Sequence, residues 1–191
     1  MRVGLSLGHG AKWSDGKLVK DPGAIHPEIK ITEYETCSRI FKVLFVLLKE
    51  YKPIDVCSAP CGVPMRERID YLNLDHKHRK KMDLAIELHA NGFNKRDVDG
   101  TECLYWPDSD YGLEAATELV DSISAYVQKK NRGVKARDDL GFLRQTAMPA
   151  VIVEPFFITS DNSANAVLTD DLIHRAAFGI FQGLLKLEKQ E

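Results

Sequence analysis

Cysteine is scarce in this chain, four residues among 191, at positions 37, 57, 61 and 103. That excludes a fold stapled by many disulfides, and reduced thiols are the expectation for all four. Cys57 and Cys61 are not followed by a second Cys/His pair at finger spacing, so they predict no cysteine-held metal. Long hydrophobic runs are missing too. Nothing approaches the about 18 apolar residues of a membrane span, and the longest candidate, 40–48, is interrupted by Lys42. Basic charge is not in excess: the formal net charge is −2, which gives no reason to expect a nucleic-acid partner. The first residues carry one arginine, but Gly8-His9-Gly10 breaks the apolar stretch before an export signal could form. Synthesis in the cytoplasm without a signal peptide is therefore expected. Internal repeats, low-complexity segments and linkers are absent as well.

What remains is an ordinary globular composition, 44% hydrophobic and 28% charged, long enough to bury a core in a single domain. Residues 2–7 read as a buried strand, and 10–31 as a long loop rich in Gly, Lys, Asp and Pro. Thr32 caps a helix in which Ile40, Val43, Leu44, Leu47 and Leu48 recur at helical spacing until Pro53. Further strands are expected at 54–57, 84–88, 101–105 and 151–153. Between them come a polar helix over 64–80 and an apolar one over 113–127. An amphipathic helix over 172–187 closes the chain. Strands alternating with helices predict an α/β layer sandwich with a largely parallel sheet.

The chemistry sits at strand ends. The first strand runs into His9, the 84–88 strand into His89, and the 151–153 strand into Glu154, while Glu33 opens the first helix. In open α/β sheets, function collects outside the carboxyl ends of the strands. Two imidazoles and one carboxylate are the ligand set of a hydrolytic zinc centre, which keeps a fourth position for water. His9, Glu33 and His89 are the candidate ligands of one zinc ion. Glu154 is then the spare carboxylate, costly to bury without a partner and suited to act as general acid/base beside the attacking water.

At these residues the chain resembles the zinc-dependent N-acetylmuramoyl-L-alanine amidases of the family-3 type. The likeness is carried by Gly8-His9-Gly10, Asp21-Pro22-Gly23-Ala24, Glu33, Arg68 with Asn73, and Asp83 with His89-Ala90-Asn91. It continues through Arg132-Gly133-Val134-Lys135, Leu143-Arg144, Pro149-Ala150 and Glu154 in Val153-Glu154-Pro155. The chain departs from the pattern at Cys37 (asparagine), Leu72 (alanine), Glu87 (serine) and Phe156 (glycine). Glu33 lies at the usual distance from the end of the helix, with Glu35 the runner-up ligand.

The resemblance implies one catalytic domain over 1–191 that cuts the amide between N-acetylmuramic acid and L-alanine in peptidoglycan. Zinc would activate water, and Glu154 would carry its proton to the leaving amine. It also implies an α/β fold in three-layer form, with a mixed, mainly parallel central sheet flanked by helices. The missing export signal and the lack of an extra wall-binding repeat predict an enzyme of the phage or prophage endolysin kind, or one released by lysis, that acts on the wall. Asn91 either orients a ligand or simply finishes its strand. Arg144 either holds a substrate carboxylate or forms an ion pair.

Several features carry competing readings. The Asp75-His76-Lys77-His78 run is expected to be solvent-exposed, because histidines two apart do not share a helix face. Tyr105-Trp106 suits either substrate stacking or packing, and Trp13 and His26 are candidates for a substrate groove. A zinc carboxypeptidase-like peptidase would carry a His-x-x-Glu pair, which does not follow His9. A non-catalytic wall-binding module would be expected to have lost one of the four residues. A phosphohistidine enzyme would place an arginine behind His9, where Lys12 is the nearby cation.

Overall fold

A computed structural model describes residues 1–189; the last two residues of the 1–191 unit expected above lie outside them. The strands are β1 (Arg2–Leu7), β2 (Gly10–Ser14), β3 (Lys17–Asp21), β4 (Asp55–Ser58), β5 (Leu84–Leu88), β6 (Thr101–Tyr105), β7 (Asn131–Ala136) and β8 (Ala150–Glu154). The helices are α1 (Glu33–Glu50), α2 (Met65–His78), α3 (Asp110–Val127), α4 (Gly141–Gln145), α5 (Asp161–Leu168) and α6 (Asp171–Glu188).

Six strands form one sheet in the order β4-β1-β5-β8-β6-β7. Neighbours run parallel except β6 and β8, which pair antiparallel through Glu102 and Glu154. The sheet is thus mainly parallel, as the alternation of elements implies, and mixed, as the family resemblance implies. One face packs against α1, α3 and α6. Ile40, Leu44, Leu119, Ile123, Ile180 and Leu184 from these helices bury against Leu5, Ile86 and Val153 of the strands. The other face carries a smaller cluster, in which Ile69 and Leu72 of α2 and Phe142 and Leu143 of α4 meet Ala85, Leu104 and Ile152. Side chains alternate across a strand, so Glu87 and Glu154, two residues beyond Ala85 and Ile152, lie on this second face.

The 10–31 segment is not all loop. β2 and β3 form a separate antiparallel hairpin turned by Asp15-Gly16, both at positive φ (49° and 73°). Asp-Gly is a strong two-residue hairpin signal. It is masked here because the flanking strands are mostly exposed and show no apolar alternation. β7 falls in the Arg132–Lys135 stretch and was invisible for a related reason: it is a polar edge strand, nowhere fully buried. The short helices α4 and α5 also carry too few turns for a periodic signal. α3 starts three residues before the apolar pattern does, because the hydroxyl of Ser109 accepts from Gly112 N.

Candidate metal centre

Each candidate ligand reaches the site from a different element. β1 pairs with β5 so that Leu7 faces Leu88, and the chain beyond each strand delivers His9 and His89 side by side. Their ring centroids lie 4.9 Å apart at an interplanar angle of 76°. Glu33 enters from above, as the first residue of α1. The cap is Thr32, whose hydroxyl oxygen accepts from Glu35 N at 3.2 Å. The Thr32 hydroxyl also donates to the Glu35 carboxylate at 2.9 Å, which holds Glu35 on the exposed side while Glu33 turns inward and is buried.

The three donors converge. Glu33 Oε1 is 2.9 Å from His89 Nδ1 and 3.1 Å from His9 Nε2. One donor atom from each of His9, Glu33 and His89 lies within 4.8 Å of the others. Backbone N–H groups of Ala24 and Ala90 donate to the two Glu33 oxygens at 2.8 and 3.1 Å. Two glycines make room. A Cβ at Gly8 would sit 2.4 Å from His89 Nε2, and one at Gly23 would sit 2.5 Å from Glu33 Oε2. His9 itself adopts φ 62°, a conformation uncommon for a non-glycine residue and often found where function constrains the backbone.

The nitrogens pointing away from the convergence are also occupied. His9 Nδ1 meets Asp21 Oδ2 at 3.0 Å, and His89 Nε2 meets Glu87 Oε2 at 3.1 Å. Histidines that bind metal usually give their other ring N–H to a carboxylate, which fixes the tautomer. Glu87 is fully enclosed, with its other oxygen taken by Arg68 Nε and Nη2 at 3.2 and 3.1 Å and by the Ser6 hydroxyl at 3.0 Å. Arg68 Nη1 also donates to the carbonyl of His9 at 3.1 Å, so one buried guanidinium braces both imidazole-bearing segments. Glu87 escaped sequence reasoning as a site residue; its signal was a carboxylate in the middle of an apolar strand.

Electrostatics follow this wiring. Burial opposes charge on Glu33, yet hydrogen bonds from His89 and His9 hold its carboxyl far below the usual range. Burial likewise disfavours charged His9 and His89, but Glu33 overrides it at both, with Glu87 adding to the effect at His89, so both pKa values are raised. Glu87 is buried too, and its hydrogen bond from His89 keeps its pKa low. Glu154 behaves in the opposite way. Burial pushes its carboxyl up to about 8, with the negative charge of Glu33 adding to the rise, and its Oε2 finds no hydrogen-bond partner among the described residues.

A hollow of about 300 Å³ contains the three donors together with Asn91, Arg137 and Glu154. Asn91 donates through Nδ2 to Glu102 Oε1 at 2.7 Å. Arg144 lies elsewhere, in a separate depression with Trp106, Asp108 and Ser109, while Arg137 lines the site hollow. Trp13 borders a second hollow that shares His9 and His89. His26 is buried against Asp161 at 3.1 Å and lines neither. In the run after α2's midpoint, Asp75 is buried and paired with Arg2 at 2.6 Å, so that stretch is not uniformly solvated.

A strand-end cluster of two imidazoles and a carboxylate beside a protonatable buried glutamate fits the donor set of hydrolytic metal centres. The chain belongs to the N-acetylmuramoyl-L-alanine amidase family, whose model matches residues 3–186. Its fold is shared with an N-acetylmuramoyl-L-alanine amidase from Clostridium difficile 630, at TM-score 0.85 and 23% identity, covering 100% of this chain and 97% of that one. The catalytic domain of an endolysin targeting Clostridia difficile aligns at TM-score 0.70 and 25% identity, covering 97% of each chain. Among curated relatives, the endolysin of Bacillus phage SPP1 is 28% identical, covering 97% of this chain and 65% of the relative. An uncharacterized cell wall amidase of Bacillus anthracis is 29% identical, covering 56% of this chain and 21% of the relative. The chain spans between 21% and 65% of the length of the curated relatives it matches. No helix among the described residues is long and apolar enough to cross a membrane.

Proposed function

We propose that this chain is a catalytic domain that hydrolyses the amide between the lactyl group of N-acetylmuramic acid and L-alanine of the peptidoglycan stem peptide, using one zinc ion held by His9, Glu33 and His89. Family membership supports the bond, and the donor set supports the ion. The observation that carries the reading is Glu154: a buried carboxylate whose Oε2 finds no hydrogen-bond partner among the described residues, in the same hollow as the three donors.

When bound there, zinc supplies Lewis acidity toward the scissile carbonyl and toward water. The protein's residues do the rest. Asp21 and Glu87 hold the two imidazoles in the tautomers that aim His9 Nε2 and His89 Nδ1 at Glu33. Glu154 Oε2 accepts a proton from the attacking water and passes it to the amide nitrogen. The water oxygen joins the carbonyl carbon as the C–N bond breaks, leaving a lactyl carboxylate and a free alanine amine. In this reading Asn91, whose amide donates to Glu102 and accepts from Gly92 N, contacts the substrate. The endolysin relative supports action on the cell wall.

The test is hydrolysis of defined muropeptides with and without a chelator, reading the new ends by mass spectrometry. New L-alanine amino termini that appear only with metal are the expected result. Newly released C-terminal amino acids would instead assign the site to a carboxypeptidase.

A further inference from the structure

The second hollow, about 350 Å³, opens on the opposite side of His9 and His89 from Glu154. Its walls are the β2–β3 hairpin, with Lys12 and Trp13, and the start of α2, with Met65 and Arg66. The hollow with Glu154 is walled instead by Leu104, Leu140 and Ile152. Sheet order sets the direction between them: β1, β5, β8, β6. From His9 beyond β1 to Glu154 at the end of β8 is two strand spacings, roughly 10 Å. The two hollows share His9 and His89, so they meet at the two imidazoles of the donor set.

An amide is not symmetric, and neither is this pair of hollows. In the reaction proposed above, the proton goes from Glu154 to the nitrogen, so the departing alanine and its peptide must lie on the β8 side. There Leu104, Leu140 and Ile152 offer an apolar wall suited to a methyl side chain. The acyl half, which carries the sugar, is left with the hairpin side.

What the hairpin offers matches a neutral saccharide better than a charged peptide. Of the cations that line the hollow, Arg68 is buried against Glu87 at 3.1 Å, while Lys12 lies 3.4 Å from Asp21 and Arg66 3.7 Å from Asp70. Trp13 has no such engagement and is 61% exposed on a short paired strand, opposite Leu18. An exposed indole presents a flat apolar face with a polar N–H edge, the combination that meets a sugar ring's C–H face and hydroxyls. The Asp15-Gly16 turn and the strand pairing hold that face in place without a flexible loop.

The geometry points to a polarised substrate groove in which the β2–β3 hairpin, through Trp13, is the saccharide subsite and the Leu104–Leu140–Ile152 side receives the stem peptide. This rests on the amidase reading. It assigns the glycan end to a segment that contributes no side chain to the metal donors beyond Asp21's contact with His9.

The two tryptophans, Trp13 and Trp106, give the test its readout. In zinc-loaded protein, their indole N–H resonances are assigned with Trp13→Phe and followed during separate titrations of the reaction products. One ligand is the N-acetylglucosaminyl-N-acetylmuramic acid disaccharide, the other the free stem tripeptide. The disaccharide is expected to shift the Trp13 resonance, and the tripeptide to leave it in place. Trp13→Ala is expected to weaken disaccharide binding about tenfold and to raise KM for disaccharide-peptide by a similar factor. A Trp13 shift caused by the tripeptide rather than the disaccharide would reverse the polarity. No shift with the disaccharide, or an unchanged KM in Trp13→Ala, removes the subsite while leaving the amidase intact. Absence of metal-dependent L-alanine termini in the wild-type protein would instead remove the amidase reading itself.

Discussion

Glu87 pairs with Ile152 in the β5–β8 register, so Glu154 lies two residues further along the adjacent strand and faces the same way, yet the surroundings drive the two carboxylates apart. Glu87 is ringed by donors, Arg68, Ser6 and His89, so burial is offset and it stays charged. Glu154 has no matching donor for Oε2, so burial favours its protonated form. The sign of the stability effect follows. A pKa raised from 4.5 to about 8 means the metal-free folded state binds the proton more tightly than the unfolded chain. That stability is fully present below about pH 4.5 and lost as pH rises through 8. Metal-free Glu154→Gln is thus expected to gain on the wild type in melting temperature between pH 5 and 9, with no difference at the acid end. The same variant is expected to lose about 10²- to 10⁴-fold in kcat with zinc content unchanged, as measured by turnover and elemental analysis. Full activity would take Glu154 out of the mechanism.

Glu87 predicts a different failure. Glu87→Gln keeps the shape and an acceptor oxygen but removes the charge that holds His89. Zinc affinity is expected to fall about 10- to 100-fold, measured by competition with a chromophoric chelator. An unchanged affinity would reduce Glu87 to a packing role for Arg68.

At the scale of elements, the start of α1 does two jobs with one turn. The Thr32 cap satisfies Glu35 N and thereby sets the angle at which Glu33 meets the imidazoles. Thr32→Ala is expected to cost about 1 kcal/mol in stability, seen as an earlier urea midpoint, and to weaken metal binding at the same time. A loss of stability with unaltered metal affinity would show that Glu33 is placed by the Ala24 and Ala90 N–H groups alone. The β2–β3 hairpin is the opposite kind of element. It buries little and is held by its own turn and pairing, so its contribution lies in what it presents to the groove.

At the scale of the molecule, the site sits at one edge of a core that does not depend on it. The two apolar clusters lie on either face of the sheet, and none of the three donors belongs to them. Removing the ion should therefore leave the fold standing but less stable, since it returns three converging groups to mutual hydrogen bonds. A ligand present at about 1,000 times its Kd adds about 4 kcal/mol. The melting temperature is expected to drop on chelation and to recover fully on adding zinc back, with far-UV circular dichroism unchanged below the transition. Loss of secondary structure on chelation would make the ion part of the fold.

The chain alone determined the α/β alternation, most element positions, the Thr32 cap and the set His9, Glu33, His89 and Glu154. Each of these is written locally, as an apolar run of two- or three-to-four-residue period ending in a polar side chain. The β2–β3 hairpin and β7 left no such mark, because exposed strands have no buried face to impose alternation. Only the tertiary structure decided how Glu33 meets the two imidazoles, that Arg137 lines the hollow while Arg144 does not, and that Glu87 braces His89. These outcomes depend on strand order and register, which bring residues far apart in the chain to hydrogen-bond distance. Such contacts are properties of the assembled sheet, and no local segment encodes them.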